Sequence, residues 1–126
     1  MNKFPISPLF IPANKIDWIE KSFQKGADSI IIDLEDSISE NEKDQAREDL
    51  YSYLKKNSYV GELIIRVNPV DDKFGQEDIK LLSSTDLSVS AFMLPKIEDC
   101  SLIDNLPEIN IIALLETPNA INNISL

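Results

Sequence analysis

The chain predicts an α/β fold of parallel strand–helix units, and three features of its 126 residues carry that expectation. Short, uninterrupted apolar runs recur along it, the clearest being Ile30-Ile31-Ile32. Such runs are typical of strands covered on both faces, as in parallel sheets. Amphipathic stretches with helical spacing separate them. Each run then gives way to polar residues or proline where the chain would leave the sheet, the edge at which α/β proteins build ligand sites.

Taken in order, Pro8 to Pro12 reads as a first strand pinned by proline at both ends. Asn14 is the expected cap of a first helix, whose Ile16, Ile19 and Phe23 share one face, and Gly26 is its stop. The second strand runs through the three isoleucines into Asp33, Glu35 and Asp36. Strand alternation points Asp33 and Glu35 one way, and Leu34 and Asp36 the other. Ser39 is the expected cap of a helix over 40–56, with acids near its start, lysines near its end and an Ala46, Leu50, Tyr53, Leu54 stripe. After Gly61, residues 62–68 predict a third strand ending in Arg66 and Asn68, and Pro69 stops it. A helix over 75–82, a strand over 91–94 ending at Pro95-Lys96, and a short helix over 99–106 follow. Residues 110–115 form the expected fifth strand, closed by Glu116-Thr117-Pro118, with a helix starting near Asn119.

Five βα units fit either a doubly wound, flavodoxin-like domain or the first five units of a (β/α)₈ barrel. No linker, low-complexity tract or charge block divides the chain, so 1–126 is expected to be one domain or part of one.

Composition excludes several chemistries. A net charge of −10 disfavours nucleic acid and anionic membranes as partners. No histidine is present, which rules out a Ser-His-Asp triad and any imidazole metal site within these residues. A metal here would be held by oxygen and would be a hard ion such as Mg²⁺. The single cysteine, Cys100, allows no internal disulfide and lacks ligand spacing or an activating base, so it is expected to be inert. The three glycines form no phosphate-binding loop. The N-terminus lacks the apolar core of a signal peptide and no run approaches a membrane span, which points to a cytoplasmic protein.

The strand exits supply the candidate chemistry. They carry Ala13 and Asn14, Glu35 and Asp36, Arg66 and Asn68, Lys96, and finally Glu116 and Thr117. On a common rim, two cations with several carboxylates suit an anionic substrate and a hard metal ion; a set of structural salt bridges is the alternative. Arg66 ends a buried strand, where an unpaired guanidinium is costly, and its fork suits a carboxylate. The alternative for it is an ion pair with Glu35 or Asp36. Glu116, if ionised, offers a metal ligand. Lys96 is either a substrate cation or a solvated lysine. Lys43 and Arg47, four apart on one helical face, are expected to meet the acids after strand two.

Six segments together resemble a known family: residues 7–13 (S-P-L-F-I-P-A), 26–37 (G-A-D-S-I-I-I-D-L-E-D-S), 43–47 (K-D-Q-A-R), 66–68 (R-V-N), 93–96 (M-L-P-K) and 114–118 (L-L-E-T-P). In this order they look like the citrate lyase β-subunit group of the HpcH/HpaI aldolases, which includes malyl-CoA lyases. The resemblance implies a (β/α)₈ barrel and Mg²⁺-dependent carbon–carbon bond cleavage or formation on a hydroxyacyl thioester such as citryl- or malyl-CoA. It gives Arg66 to the substrate and Glu116 to both metal and substrate. Glu35, Asp36, Lys43, Arg47, Asn68 and Lys96 are then supporting residues around them. Family members are usually homo-oligomers. Ile6 stands where many relatives begin the first motif with arginine, so a second anion contact is expected to be lost. The family's second metal-binding aspartate follows the sixth strand, beyond Leu126. The chain therefore reads as a truncated barrel, expected to be inactive and prone to association by itself. A non-catalytic truncated product or scaffold subunit is the alternative. A receiver-like signalling domain fits less well: it needs an aspartate after strand three and a lysine after strand five, where Arg66-Val67-Asn68 and Glu116 stand.

Overall fold

The apolar runs become the strands of a single parallel sheet. In a computed structural model, which describes residues 6–59 and 61–124, β1 (Leu9–Pro12), β2 (Ser29–Asp33), β3 (Glu62–Arg66), β4 (Ala91–Leu94) and β5 (Ile111–Ala113) lie in sequential order. Every neighbouring pair is parallel. Sequential order without a reversal is the arrangement of a (β/α)₈ barrel wall, whereas a doubly wound sheet reverses direction at a switch point. The flavodoxin-like alternative is thereby set aside. The signal-peptide expectation rests largely on Met1–Pro5, which lie outside the described residues.

Helices α1 (Asp17–Gln24), α2 (Lys43–Leu54), α3 (Lys73–Leu82) and α4 (Pro118–Asn122) occupy the connections. Period-2 alternation divides the strand side chains between the two faces of the sheet. Ile30, Ile32, Leu63, Ile65, Phe92 and Leu94 join the larger cluster with Ile19, Leu50, Ile79 and Leu82 from the helices. Ile31, Ile64, Ala91 and Met93 form a smaller cluster, with Ile112 and Leu114 packed against it. Burying each such isoleucine or leucine contributes about 1.5–3 kcal/mol, so β2 and β3, apolar toward both clusters, anchor the sheet.

Local departures from expectation have local causes. Helix α1 begins at Asp17 after an uncapped Ile16, not at Asn14, because the chain first turns through a Lys15 N–H bond to the Pro12 carbonyl. Gly26 follows that helix with a φ of 94°, a conformation in which a side chain would be strained. Ser39 caps no backbone group; its hydroxyl turns to Asn41 and Glu42, and a 3-10 turn (Glu40–Glu42) precedes α2. Helix α3 starts two residues earlier than predicted because Asp72 caps it through the Gly75 amide, at 3.0 Å. The helix expected over 99–106 is only a 3-10 turn (Cys100–Leu102), since the Asp99 carboxylate accepts from the Ser101 amide and favours a tight turn. Cys100 is free and exposed there. No helix among the described residues is long and apolar enough to cross a membrane.

Candidate active site

Register decides which acid meets Arg66. Parallel pairing sets Asp33 directly beside Arg66 at the ends of β2 and β3. Residues level on adjacent strands project to the same face. The guanidinium consequently closes a bidentate fork on Asp33, with Nε to Oδ1 and Nη2 to Oδ2 both at 2.8 Å. The Glu35 amide donates to Oδ1 at 2.9 Å and the Ser37 amide to Oδ2 at 3.0 Å, so both oxygens are doubly served. Burial opposes ionisation of Asp33, but the bonds from Arg66, Ser37 and the Glu35 amide outweigh it and hold its carboxyl below the usual range. The same pairing, reinforced by Glu35 and Asp36, raises the proton affinity of Arg66. The Phe10 ring lies 5.1 Å from the Arg66 guanidinium carbon, a cation–π contact.

The expected partners Glu35 and Asp36 are present but farther away, at 3.5 and 3.7 Å from Arg66 Nη1. Sequence reasoning placed Asp33 among the acids of this segment without assigning it to the site. Strand alternation already aimed it with Glu35; only the cross-strand register shows that it is the residue holding Arg66.

A second network lies behind the rim. Asp78 of α3 is fully buried and accepts from Arg47 Nε at 2.7 Å, the Asn68 amide at 2.9 Å and Asn68 Nδ2 at 2.8 Å. Asn68 Oδ1 accepts from Lys43 Nζ at 2.6 Å, and Lys43 also donates to the Leu34 and Glu35 carbonyls. The expectation that Lys43 and Arg47 meet the acids after strand two is corrected here. Lys43 reaches that segment's carbonyl oxygens rather than its carboxylates, while Arg47 pairs with Asp78 and Asp44. The cause is Asp78, a carboxylate on the inward stripe beside Ile79 and Leu82 that requires a buried cation. That placement was the available signal for a residue the sequence reading missed.

On the other side of the rim, Lys96 has a φ of 53°, the only non-glycine residue with positive φ among those described. Its amide donates to Glu116 Oε1 at 3.1 Å and its ammonium lies 3.0 Å from Glu35 Oε1. The Glu35 ion pair raises the Lys96 pKa. Glu35 itself is 5% exposed, and neither of its carboxylate oxygens has a partner in hydrogen-bonding alignment. Next to Glu116, Thr117 caps α4 and donates to Glu98 at 2.7 Å. Asn14 is exposed just after β1. Ile6 lies at the opposite end of the sheet, where its amide bonds Asp28 ahead of β2, so its replacement of an arginine falls away from the rim.

One matched family model, HpcH/HpaI aldolase/citrate lyase, covers residues 7–125. The chain belongs to this family. Among curated aldolase-family relatives, it is 36% identical over 99 residues to the citrate lyase subunit beta of Leuconostoc mesenteroides subsp. cremoris, covering 78% of this chain and 32% of that protein. It is 32% identical over 116 residues to a (3S)-malyl-CoA thioesterase of Cereibacter sphaeroides, covering 88% of this chain and 40% of the relative. The structure of Mycobacterium tuberculosis CitE with magnesium and acetoacetate matches with a TM-score of 0.79 at 29% identity, over 94% of this chain and 48% of that one. The citrate lyase beta subunit of the same organism with oxaloacetate and magnesium gives 0.73 at 28% identity, over 89% and 48%. The chain thus spans 32–40% of those two curated relatives and about half of the solved ones.

The residues present suit a magnesium ion as a single hard-oxygen contact. Glu116 is exposed on the rim, with one oxygen steadied by the Lys96 amide and the other without such a bond. Mg²⁺ keeps several waters and often binds through only one or two carboxylates. Among the described residues, no group of three or more acidic or cysteine side chains gathers to hold a metal.

Proposed function

We propose that this chain contributes the substrate-binding rim of a Mg²⁺-dependent carbon–carbon lyase that cleaves or forms a hydroxyacyl thioester such as citryl- or malyl-CoA. The observation that carries the reading is the immobilised Arg66. Asp33 fixes its Nε and Nη2 and so holds the planar guanidinium still, which leaves Nη1, 3.5 and 3.7 Å from Glu35 and Asp36, as the nitrogen that meets an incoming carboxylate or oxo oxygen. A guanidinium set in place beforehand binds an anion without first being ordered.

Glu116 would hold the metal through its exposed carboxylate. When bound, Mg²⁺ would supply Lewis-acid polarisation of the oxo acid oxygen. The chain's own residues do the rest of the positioning. Lys43 and Asn68 fix the backbone carbonyls after β2, keeping Glu35 and Asp36 beside Arg66. Asp33, Glu35, Asp36 and Glu116 outnumber Arg66, Lys96 and Lys43 on this rim, so its field favours a divalent cation before an anionic substrate. Arg47 supports the arrangement through Asp78.

The test is calorimetric binding of Mg²⁺ and then oxaloacetate to the chain, followed by incubation with citryl-CoA and malyl-CoA. Magnesium-dependent oxo acid binding that disappears in Glu116→Gln and in Arg66→Met supports the reading. Magnesium-independent binding, or none, overturns it. The thioester assay separates bond cleavage, which releases acetyl-CoA, from thioester hydrolysis, which releases free CoA as the thioesterase relatives' name implies.

A further inference from the structure

Three observations converge on Lys96. Its backbone is left-handed, a conformation unfavourable for a residue with a side chain that persists only where surrounding contacts enforce it. The contact that enforces it is the hydrogen bond from the Lys96 amide to Glu116 Oε1. This backbone sends the ammonium to the acid after β2, where it shares Glu35 with Arg66: Lys96 Nζ faces Oε1 and Arg66 Nη1 faces Oε2. Glu35 is buried, yet neither oxygen has a hydrogen bond in alignment. A buried carboxylate left in this condition is uncommon.

We propose that Lys96 is the second cation of an anion site whose first is Arg66, and that together they select a 2-oxo dicarboxylate over a 2-oxo monocarboxylate. This rests on the oxo acid reading of the rim given above. Glu35 faces both cations, one oxygen each, at 3.0 Å from Lys96 Nζ and 3.5 Å from Arg66 Nη1. Lys96 Nζ can swing from Glu35 Oε1 onto a ligand while Arg66 Nη1, held by the Asp33 fork, stays 3.5 Å from Oε2, so the buried Glu35 keeps one cation when Lys96 leaves it. Lys96 is the more accessible of the two, its side chain being 52% exposed against 14% for Arg66. One carboxylate of the ligand meets Arg66, which Asp33 holds still. The other meets Lys96, which carries three donors on a flexible stem. A monocarboxylate uses only the first.

The experiment compares oxaloacetate with pyruvate, which differ by one carboxylate, by calorimetry on the chain in the presence of Mg²⁺. Wild type is expected to bind oxaloacetate about tenfold or more tightly than pyruvate, as a charge-assisted contact allows. Lys96→Met keeps the stem and the left-handed backbone; it should lose that preference through weaker oxaloacetate binding, with pyruvate unchanged. Lys96→Arg should keep most of the preference. Circular dichroism of each variant confirms that it folds. A Lys96→Met protein that retains the preference overturns the proposal, as does a wild type that binds both acids equally. A wild type that binds neither acid overturns the oxo acid reading itself, and this proposal with it.

Discussion

Two carboxylates, Asp78 and Glu35, are buried a few residues from the same rim and are treated in opposite ways. Asp78 receives three hydrogen bonds, from Arg47 and twice from Asn68. Glu35 receives none in alignment and only faces two cations. A satisfied buried network rigidifies the elements it joins, here α2, α3 and the end of β3. A carboxylate whose nearer cation is the half-exposed Lys96 leaves that cation available. The difference separates a structural ion pair from a candidate binding feature, although both look alike as charges in an apolar context.

Breaking the comparison at its firm end should have the largest effect. Asp78→Ala strands the buried Arg47 and two Asn68 donors, and we expect a loss of about 4 kcal/mol in chemical denaturation. An unchanged denaturation midpoint would show that the network contributes nothing. Asp33→Asn should follow at about 3 kcal/mol, since it removes the charge facing the Arg66 fork. The Asp33 pair also gives a pH signature. Its folded-state pKa is depressed, so its stabilisation is present above the unfolded value near 3.9 and fades as pH falls through the lower folded value. Wild-type stability should therefore drop below about pH 4 more steeply than that of Asp33→Asn. Parallel profiles would sink this assignment.

Glu35→Gln sharpens the contrast. We expect a change of about 1 kcal/mol or less, because half-exposed Lys96 can turn to water and Arg66 keeps Asp33. A loss as large as that of Asp78→Ala would make Glu35 structural. Lys96→Gly should act in the opposite direction, raising stability by up to about 1 kcal/mol through release of the left-handed backbone. Thermal melts would detect either sign.

The sheet was legible because the Ile30-Ile31-Ile32 and Ile64-Ile65 runs admit few other readings once helical stretches separate them. Gly26 was legible too, since a helix stop with positive φ favours the residue found there. The partner of Arg66 was not. Asp33, Glu35 and Asp36 are equally plausible along the chain, and only the β2–β3 register picks Asp33. Arg47 was misassigned for a related reason: its partner lies 31 residues away on another helix. Lysine after proline in Pro95-Lys96 gives no hint of a left-handed backbone, which depends on the Glu116 carboxylate reaching back from the end of β5.

The unbroken strand order has a consequence for how such a protein can change over generations. Asp33 with Glu35, Arg66, Lys96 and Glu116 each emerge from a different strand–helix unit, while the isoleucine layers sit lower in those same units. Altering one exit loop can swap one polar group and leave the ladder beneath it intact. Ligand preference and foldability can then be inherited almost separately, one loop at a time.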